Sequence, residues 1–307
     1  MAEERVKMGM GWLPDYPDFR DYTAETNTVS AKLKMAGQTD SIKTMLKKVG
    51  VAKAKTPLKT LTADLRPWCS PIENQGSLGS CTANAGVGMV EYFEKRAFGK
   101  YIDASRLFLY KTTRDVLHWT GDTGAFLRST MGSLVLFGVP PEEYWPYNIS
   151  SFDVEPSAFC YAFAQNYQAI TYYRLDPPGT TPANLLIAIK NYLNSGLPLM
   201  FGFTVYSSIS QAATTGKIPY PAAGESILGG HAIMAVGYDD DLVITNTTPA
   251  SPPTTGALLI RNSWGTGWGG PMAGYGWLPY KYVLNGLATD WWSLLKNAWV
   301  DSGQFKQ

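Results

Sequence analysis

The chain is predicted to be an α+β protein, with a helical first half, a sheet-rich second half and a cleft between them. Helical spacing dominates from about residue 62 to 160, and short apolar runs bounded by Gly, Pro, Asn and Asp follow from about 165. Composition is the third observation. Of 307 residues, 45% are hydrophobic and 17% charged, which suits a large buried core and excludes a disordered chain. A net charge of +1 supplies no field that would draw the whole molecule to nucleic acid or to an anionic membrane. The 10 Trp and 18 Tyr residues suit a groove that grips an extended ligand, and equally well fill cores.

Residues 1–60 differ from the rest. The stretch from Gly11 to Tyr22 is rich in aromatics, proline and acid and reads as extended chain packed on something else. Residues 31–60 then carry eight lysines and one acid, Asp40. Within them Ile42, Met45, Leu46 and Val49 form one apolar stripe of a short helix, capped by Asp40 or Ser41. The lysine run reads as a solvated linker, with a partner-binding patch as the alternative. In the first half, helices are expected over 82–98, 104–117 and 127–137; Gly99 and Gly138 stop the first and last. Glycines inside the first of these cost about 1 kcal/mol each and imply that another backbone comes close. In the second half, strands are expected at 165–175, 199–205, 231–238, 258–262 and 275–280. A helix is expected over 182–194, with Pro182 near its start. The Asp, Thr, Pro and Ser residues of 239–257 read as a surface loop.

The candidates for chemistry are few. There are three cysteines and two histidines. An odd, low cysteine count argues against a disulfide scaffold and leaves no CxxC pair for zinc, with a Cys69–Cys160 bridge as an alternative to free thiols. Cys81 opens a helix, where the positive end of the helix dipole favours thiolate; the bland reading is a small buried hydrophobe. Gln75, six residues upstream, carries a side-chain amide suited to share an oxyanion with the Cys81 N–H. Cys69 and Cys160 sit in apolar settings and read as structural. His231 begins an apolar strand after Gly229 and Gly230, whereas His118 ends a helix, where a histidine commonly serves only as a favourable charge. Asn262 ends a strand and offers a carbonyl to orient His231. Trp264 stands close enough to shield that bond, although the same run reads as a Gly/Trp-rich turn with packing aromatics.

Three blocks in this order resemble the papain family of cysteine peptidases: Gln75-Gly76-Ser77-Leu78-Gly79-Ser80-Cys81, Gly230-His231-Ala232 with Val236-Gly237-Tyr238, and Asn262-Ser263-Trp264-Gly265-Thr266-Gly267-Trp268-Gly269. His231 follows Cys81 by about 150 residues, within the family's spacing. The similarity spans roughly 62–285 and implies a papain-like two-lobed fold, a helical left lobe (about 61–160) and a β-barrel-like right lobe (about 161–307) flanking the active-site cleft. It implies Cys81 as nucleophile, His231 as base, Asn262 as its orienter and Gln75 in the oxyanion hole. It also places Gly124, Ala125, Phe126, Gly202, Ala232 and Trp264 along the bound peptide, with main-chain pairing at Gly124. Leu78 stands where the family has a half-cystine and Thr82 where it has a tryptophan.

The expected activity is therefore cysteine-type endopeptidase through a thioester, acting as a monomer on a polypeptide, with no cofactor, metal, nucleic acid or membrane involved. The rivals are a non-catalytic peptide-binding module and another thiol acyltransferase or amide hydrolase. The family's inhibitory propeptide is longer and helical, and residues 1–60 do not resemble it. They are expected either to lie across the cleft and limit access or to form a structural belt. The sequence shows neither a run of about 18 apolar residues nor the order of a signal peptide, so a cytoplasmic location is expected.

Overall fold

The computed structural model of the chain describes residues 8–35, 37–51, 61–167, 171–248 and 251–305. Two short helices, α1 (Ala31–Met35) and α2 (Ile42–Val49), precede the main body. Ser41 caps α2 by accepting from the Thr44 N–H, and Ile42, Met45, Leu46 and Val49 bury the stripe. The linker reading fails for this part of the lysine run, because α2 packs against the last helix, but its lysines stay exposed. Lys43 meets Glu25 at 2.8 Å, and Lys48 reaches Asp301 at 2.9 Å. Lys53, Lys55 and Lys59 lie outside the described residues.

Strand β1 (Thr62–Asp64) leads into four helices: α3 (Cys81–Phe98), α4 (Arg106–Val116), α5 (Leu127–Leu136) and α6 (Ala158–Ala164). Gly99 ends α3 in the left-handed conformation that glycine adopts without strain. The glycines of α3 make room for side chains rather than for the backbone the sequence suggested. A methyl group at Gly88 would lie 2.4 Å from Arg261 Nη1 and 2.7 Å from Met234 Sδ. Beneath α3, buried Glu91 takes hydrogen bonds from Ser70 Oγ and, at 3.0 Å, from the Ala104 N–H. Arg261 donates to the same serine at 2.9 Å.

The second half builds a seven-stranded antiparallel sheet from β2 (Thr171–Arg174), β3 (Leu199–Tyr206), β4 (Ile227–Ile244), β5 (Thr254–Arg261), β6 (Tyr275–Pro279) and β7 (Ala288–Leu295). The order is β2-β7-β3-β4-β5-β6, and β1 pairs with β4. Helices α7 (Pro182–Asn194), α8 (Ala212–Thr215), α9 (Tyr280–Leu284) and α10 (Asn297–Asp301) complete the body. α10 returns to the first half, where Trp299 stacks on Phe93 of α3 at 5.0 Å.

Three expectations are corrected. Residues 165–167 continue α6 as a tight turn instead of starting a strand, because Phe159, Phe163 and Tyr167 stack at helical spacing. The 239–257 stretch is largely a hairpin: Val243 and Ile244 pair with Thr255 and Thr254, β-branched residues on both strands. Strand β7 was not anticipated, although Trp291-Trp292-Ser293-Leu294-Leu295 is an apolar run; it lies inside the sheet, with Trp291 stacked on Phe201 at 3.9 Å.

Candidate active site

Cys81 is the first residue of α3 and is completely buried. Its sulfur accepts the Ala232 N–H at 3.3 Å, so β4 and the start of α3 touch at this atom. The neighbouring His231 places Nε2 2.8 Å from Asn262 Oδ1, at the end of β5. The Ser263 N–H also donates to that oxygen at 2.8 Å, which fixes the amide orientation. An amide oxygen only accepts, so Nε2 carries the imidazole proton and Nδ1 is the basic nitrogen. Nδ1 is buried with no hydrogen-bond partner among the described residues. The Trp264 indole stacks on the imidazole at 4.5 Å and 19°, covering the bond to Asn262.

Gln75 is tied to the same strand end. Its N–H donates to the Ser263 carbonyl at 2.8 Å and its Oε1 accepts Ser263 Oγ at 2.6 Å, while Nε2 donates to the Leu78 carbonyl at 2.8 Å. One of the two Nε2 hydrogens is thus committed, and the other is available to an oxyanion. Cys81, His231, Asn262 and Gln75 converge here from α3, β4, the end of β5 and the loop before α3.

The N-terminal chain crosses this centre. The Gly9 N–H donates to the Gly76 carbonyl at 2.8 Å, and the Gly9 carbonyl accepts Trp264 Nε1 at 2.9 Å. The Trp12 N–H donates to the Gly230 carbonyl at 3.1 Å. The Ala125 N–H donates to the Gly11 carbonyl at 2.8 Å, and the Leu13 N–H returns a bond to the Ala125 carbonyl at 3.1 Å, so Trp12 and Ala125 form a parallel bridge. The fit depends on glycines: a methyl group at Gly11 would lie 2.1 Å from the Gly79 carbonyl oxygen. Burial beneath this segment opposes the charge state expected from the helix dipole. It pushes the Cys81 thiol from its ordinary 9.0 up to about 12, against the lowering effect of the Ala232 N–H. That rise corresponds to about 4 kcal/mol, more than the roughly 2 kcal/mol a helix terminus supplies at best. Burial likewise lowers His231 to about 4, against the raising effect of Asn262. Burial thus opposes the charged forms of both sulfur and imidazole while the segment is in place.

The remaining sequence candidates lie around the same segment. The segment's own main-chain pairing runs through Ala125, and the Gly124 N–H bonds the Tyr110 hydroxyl at 3.1 Å. Gly124 instead lets the segment approach, since a methyl group there would lie 2.1 Å from the Gly11 carbonyl oxygen. Phe126 stands just before α5, its ring tilted at 52° against Trp119 with the centroids 5.5 Å apart. Gly202 lies directly under the Trp12 ring. Two residues were missed: Trp12 itself, and buried Asp290 on β7, whose Oδ2 accepts Trp12 Nε1 at 3.1 Å. Burial raises the Asp290 carboxyl to about 6, against the lowering effect of Arg174. The acid gives no local sequence signal, because only tertiary pairing brings β7 beside β3. Cys69 and Cys160 are free and buried; each thiol has a backbone carbonyl partner. Among the described residues no helix is long and apolar enough to cross a membrane.

A cysteine at a helix start, a histidine held by an asparagine and a helical half against an antiparallel sheet define a papain-like fold. A profile of the papain family of cysteine proteases matches residues 61–293, and the chain belongs to that family, whose members are thiol proteases. It is 35% identical over 225 residues to an uncharacterized peptidase C1-like protein of Acanthamoeba polyphaga mimivirus, covering 71% of this chain and 68% of that one. Chymopapain of Carica papaya is 21% identical, and the match spans 65% of this chain and 49% of that protein's length. Among solved structures, xylellain, a cysteine protease from Xylella fastidiosa, superposes with a TM-score of 0.71 at 29% identity over 96% of this chain and 98% of that one. The bromelain protease of Ananas comosus shares the fold at a TM-score of 0.55 and 18% identity, over 76% of this chain and 98% of that one.

Proposed function

We propose that this cysteine protease is an endopeptidase held latent by its own residues 8–13. Cys81 attacks the scissile carbonyl once the proton of its thiol has passed to His231. The C–N bond then breaks as His231 returns that proton to the leaving amine. Water hydrolyses the resulting thioester, and Asn262 keeps the imidazole aligned throughout. Gln75 Nε2 and the Cys81 N–H receive the oxyanion; losing one such donor costs about 100-fold or more in rate. The observation that carries this reading is the 2.8 Å bond between His231 Nε2 and Asn262 Oδ1, with Nδ1 left as the free base.

The latency reading rests on the segment's bonds to Gly76, Gly230, Ala125 and Trp264. Its departure returns water to the site, which removes the burial penalty on thiolate and imidazolium together. Endopeptidase action is supported by a groove of about 1060 Å³, lined by Trp264, Trp268, Thr123 and Gly124 together with Met8 to Gly11 of the segment, which is room for an extended chain. The test uses a peptide acetylated at one end and amidated at the other, incubated with a full-length Trp12→Ala variant. Internal cleavage is expected, and its loss in the double variant with Cys81→Ala. Trimming confined to free ends would overturn the endopeptidase reading, and cleavage that survives Cys81→Ala would overturn the nucleophile.

A further inference from the structure

We infer that Asp290, at the end of the slot filled by Trp12, makes this site select an aromatic residue bearing a donor on its far edge, tryptophan above all. The inference rests on the peptidase reading above and adds the substrate class. Its shape comes from two glycines. A methyl group at Gly202 would lie 1.8 Å from Trp12 Cε2, and one at Gly230 2.8 Å from Cε3, so the indole lies flat against the main chains of β3 and β4. Trp12 is 6% exposed, and a side chain at either glycine would close the slot.

The chemistry comes from Asp290 at the end of the slot. This residue is fully buried and holds a φ of +63°, a left-handed conformation uncommon outside glycine that aspartate tolerates better than most. Its two oxygens are differently supplied. Oδ1 accepts Trp292 Nε1 at 2.7 Å and pairs with Arg174 Nη1 at 3.1 Å, both from the body of the protein. Oδ2 accepts Trp12 Nε1 at 3.1 Å, from the removable segment. When the segment leaves, Oδ2 loses that donor. A phenylalanine or leucine in the slot leaves a buried acceptor unpaired, whereas an indole N–H restores the bond. An arginine or lysine is disfavoured on charge grounds. Arg174 is 2.8 Å from Asp176, and Arg128 and Arg174 both lie over the Trp292 ring. Asp15 and Asp21 meet these arginines from the chain beyond Leu13, which the body holds in place: the Arg174 N–H donates to the Tyr22 carbonyl at 2.8 Å. Arg174 Nη1 already pairs with Asp290 Oδ1 at 3.1 Å, so the acid at the end of the slot carries its own cation and gains little from another.

The test separates shape from the N–H. In full-length Trp12→Ala the slot is empty, and calorimetry compares indole with benzothiophene, the same bicycle with sulfur in place of N–H. Indole is expected to bind about tenfold more tightly, the effect of one buried acceptor left unpaired. Hydrolysis of matched blocked peptides carrying tryptophan or 3-benzothienylalanine at the slot position is expected to differ by a similar factor in kcat/KM. Phenylalanine and leucine peptides should fall on the slow side. Equal binding of the two bicycles, or faster cleavage of arginine peptides, overturns the inference. Indole preference without hydrolysis of any peptide upholds the slot and sinks the peptidase reading. Trp12→Phe gives an independent check should the alanine variant not accumulate. It keeps the ring and removes the donor, so hydrolysis should rise about tenfold over the parent chain, and no rise would count against the role of Asp290.

Discussion

Two ionisable acids of helix α3, Cys81 and Glu91, are buried by different means. Cys81, on its first turn, is covered by residues 8–13, which approach from outside the body and are joined to it by main-chain bonds and one inserted indole. Glu91, near its middle, is enclosed by the body itself, between Ser70, Ala104 and Arg261. Both sites are shifted by burial toward the neutral acid, the thiol to about 12 and the carboxyl to about 7. The difference lies in what relieves the shift. Moving a short piece of chain exposes Cys81, whereas exposing Glu91 requires parting α3 from the chain that carries Ser70 and Ala104. Burial can thus act as a switch at one end of a helix and as fixed architecture a few turns along.

The largest expected effect comes from breaking the removable cover. Trp12→Ala removes a buried aromatic, a change worth about 3–5 kcal/mol in cores. Peptide hydrolysis should therefore rise by about two to three orders of magnitude, read as initial rates on a fluorogenic substrate. Iodoacetamide should at the same time begin to label Cys81 ahead of Cys69 and Cys160. A rate unchanged from the parent would mean that the segment does not limit access.

Next come the pH dependences, which should run in opposite directions. Folding favours protonated Glu91, with a pKa of about 7 against an ordinary 4.5, so its contribution is full below 4.5 and is lost as pH rises through 7. Folding favours neutral His231, at about 4 against 6.5, so its contribution is full above 6.5 and is lost as pH falls through 4. Each amounts to about 3 kcal/mol. Urea unfolding from pH 4 to 7.5 should show Glu91→Gln removing a fall in stability with pH and His231→Gln removing a rise. Parallel curves for the two variants would refute the comparison.

A smaller effect is expected at Gly11, whose φ is +133° and where a side chain meets the Gly79 carbonyl. The strain of about 1–3 kcal/mol falls on the covered state, so Gly11→Ala should raise hydrolysis by roughly tenfold to a hundredfold. Gly267→Ala is the matched control. It meets nothing within 4 Å and should leave both rate and stability within about 0.5 kcal/mol of the parent.

How much of this was legible in the sequence follows the same division. The helices with clear stops were readable: α7 spans Pro182–Asn194 as its proline and glycine signals imply, and the stripe of α2 is buried as its spacing implies. Gln75, Cys81, His231 and Asn262 stood out because each sits in a distinctive local block. What escaped depended on partners distant in the chain. Asp290 is an ordinary acid until β7 inserts between β2 and β3, and Trp12 is one aromatic among many until Gly202 and Gly230 leave it a slot. The penalty that burial sets on the Cys81 thiolate was likewise hidden, because the helix start favouring thiolate is local and the chain opposing it comes from far upstream.

Residues 8–13 belong to the same polypeptide as the cleft they fill, and this makes them a tethered competitor. A tether of this kind presents its ligand at an effective concentration on the order of millimolar, whatever the protein concentration. Dilution therefore does not open the site. A free peptide of equal intrinsic affinity must itself approach millimolar levels before it holds the cleft half the time. Latency would then register in kinetics as a raised KM at unchanged saturating rate, and severing the chain beyond Leu13 would convert that tethered contact into one that dilution can dissolve.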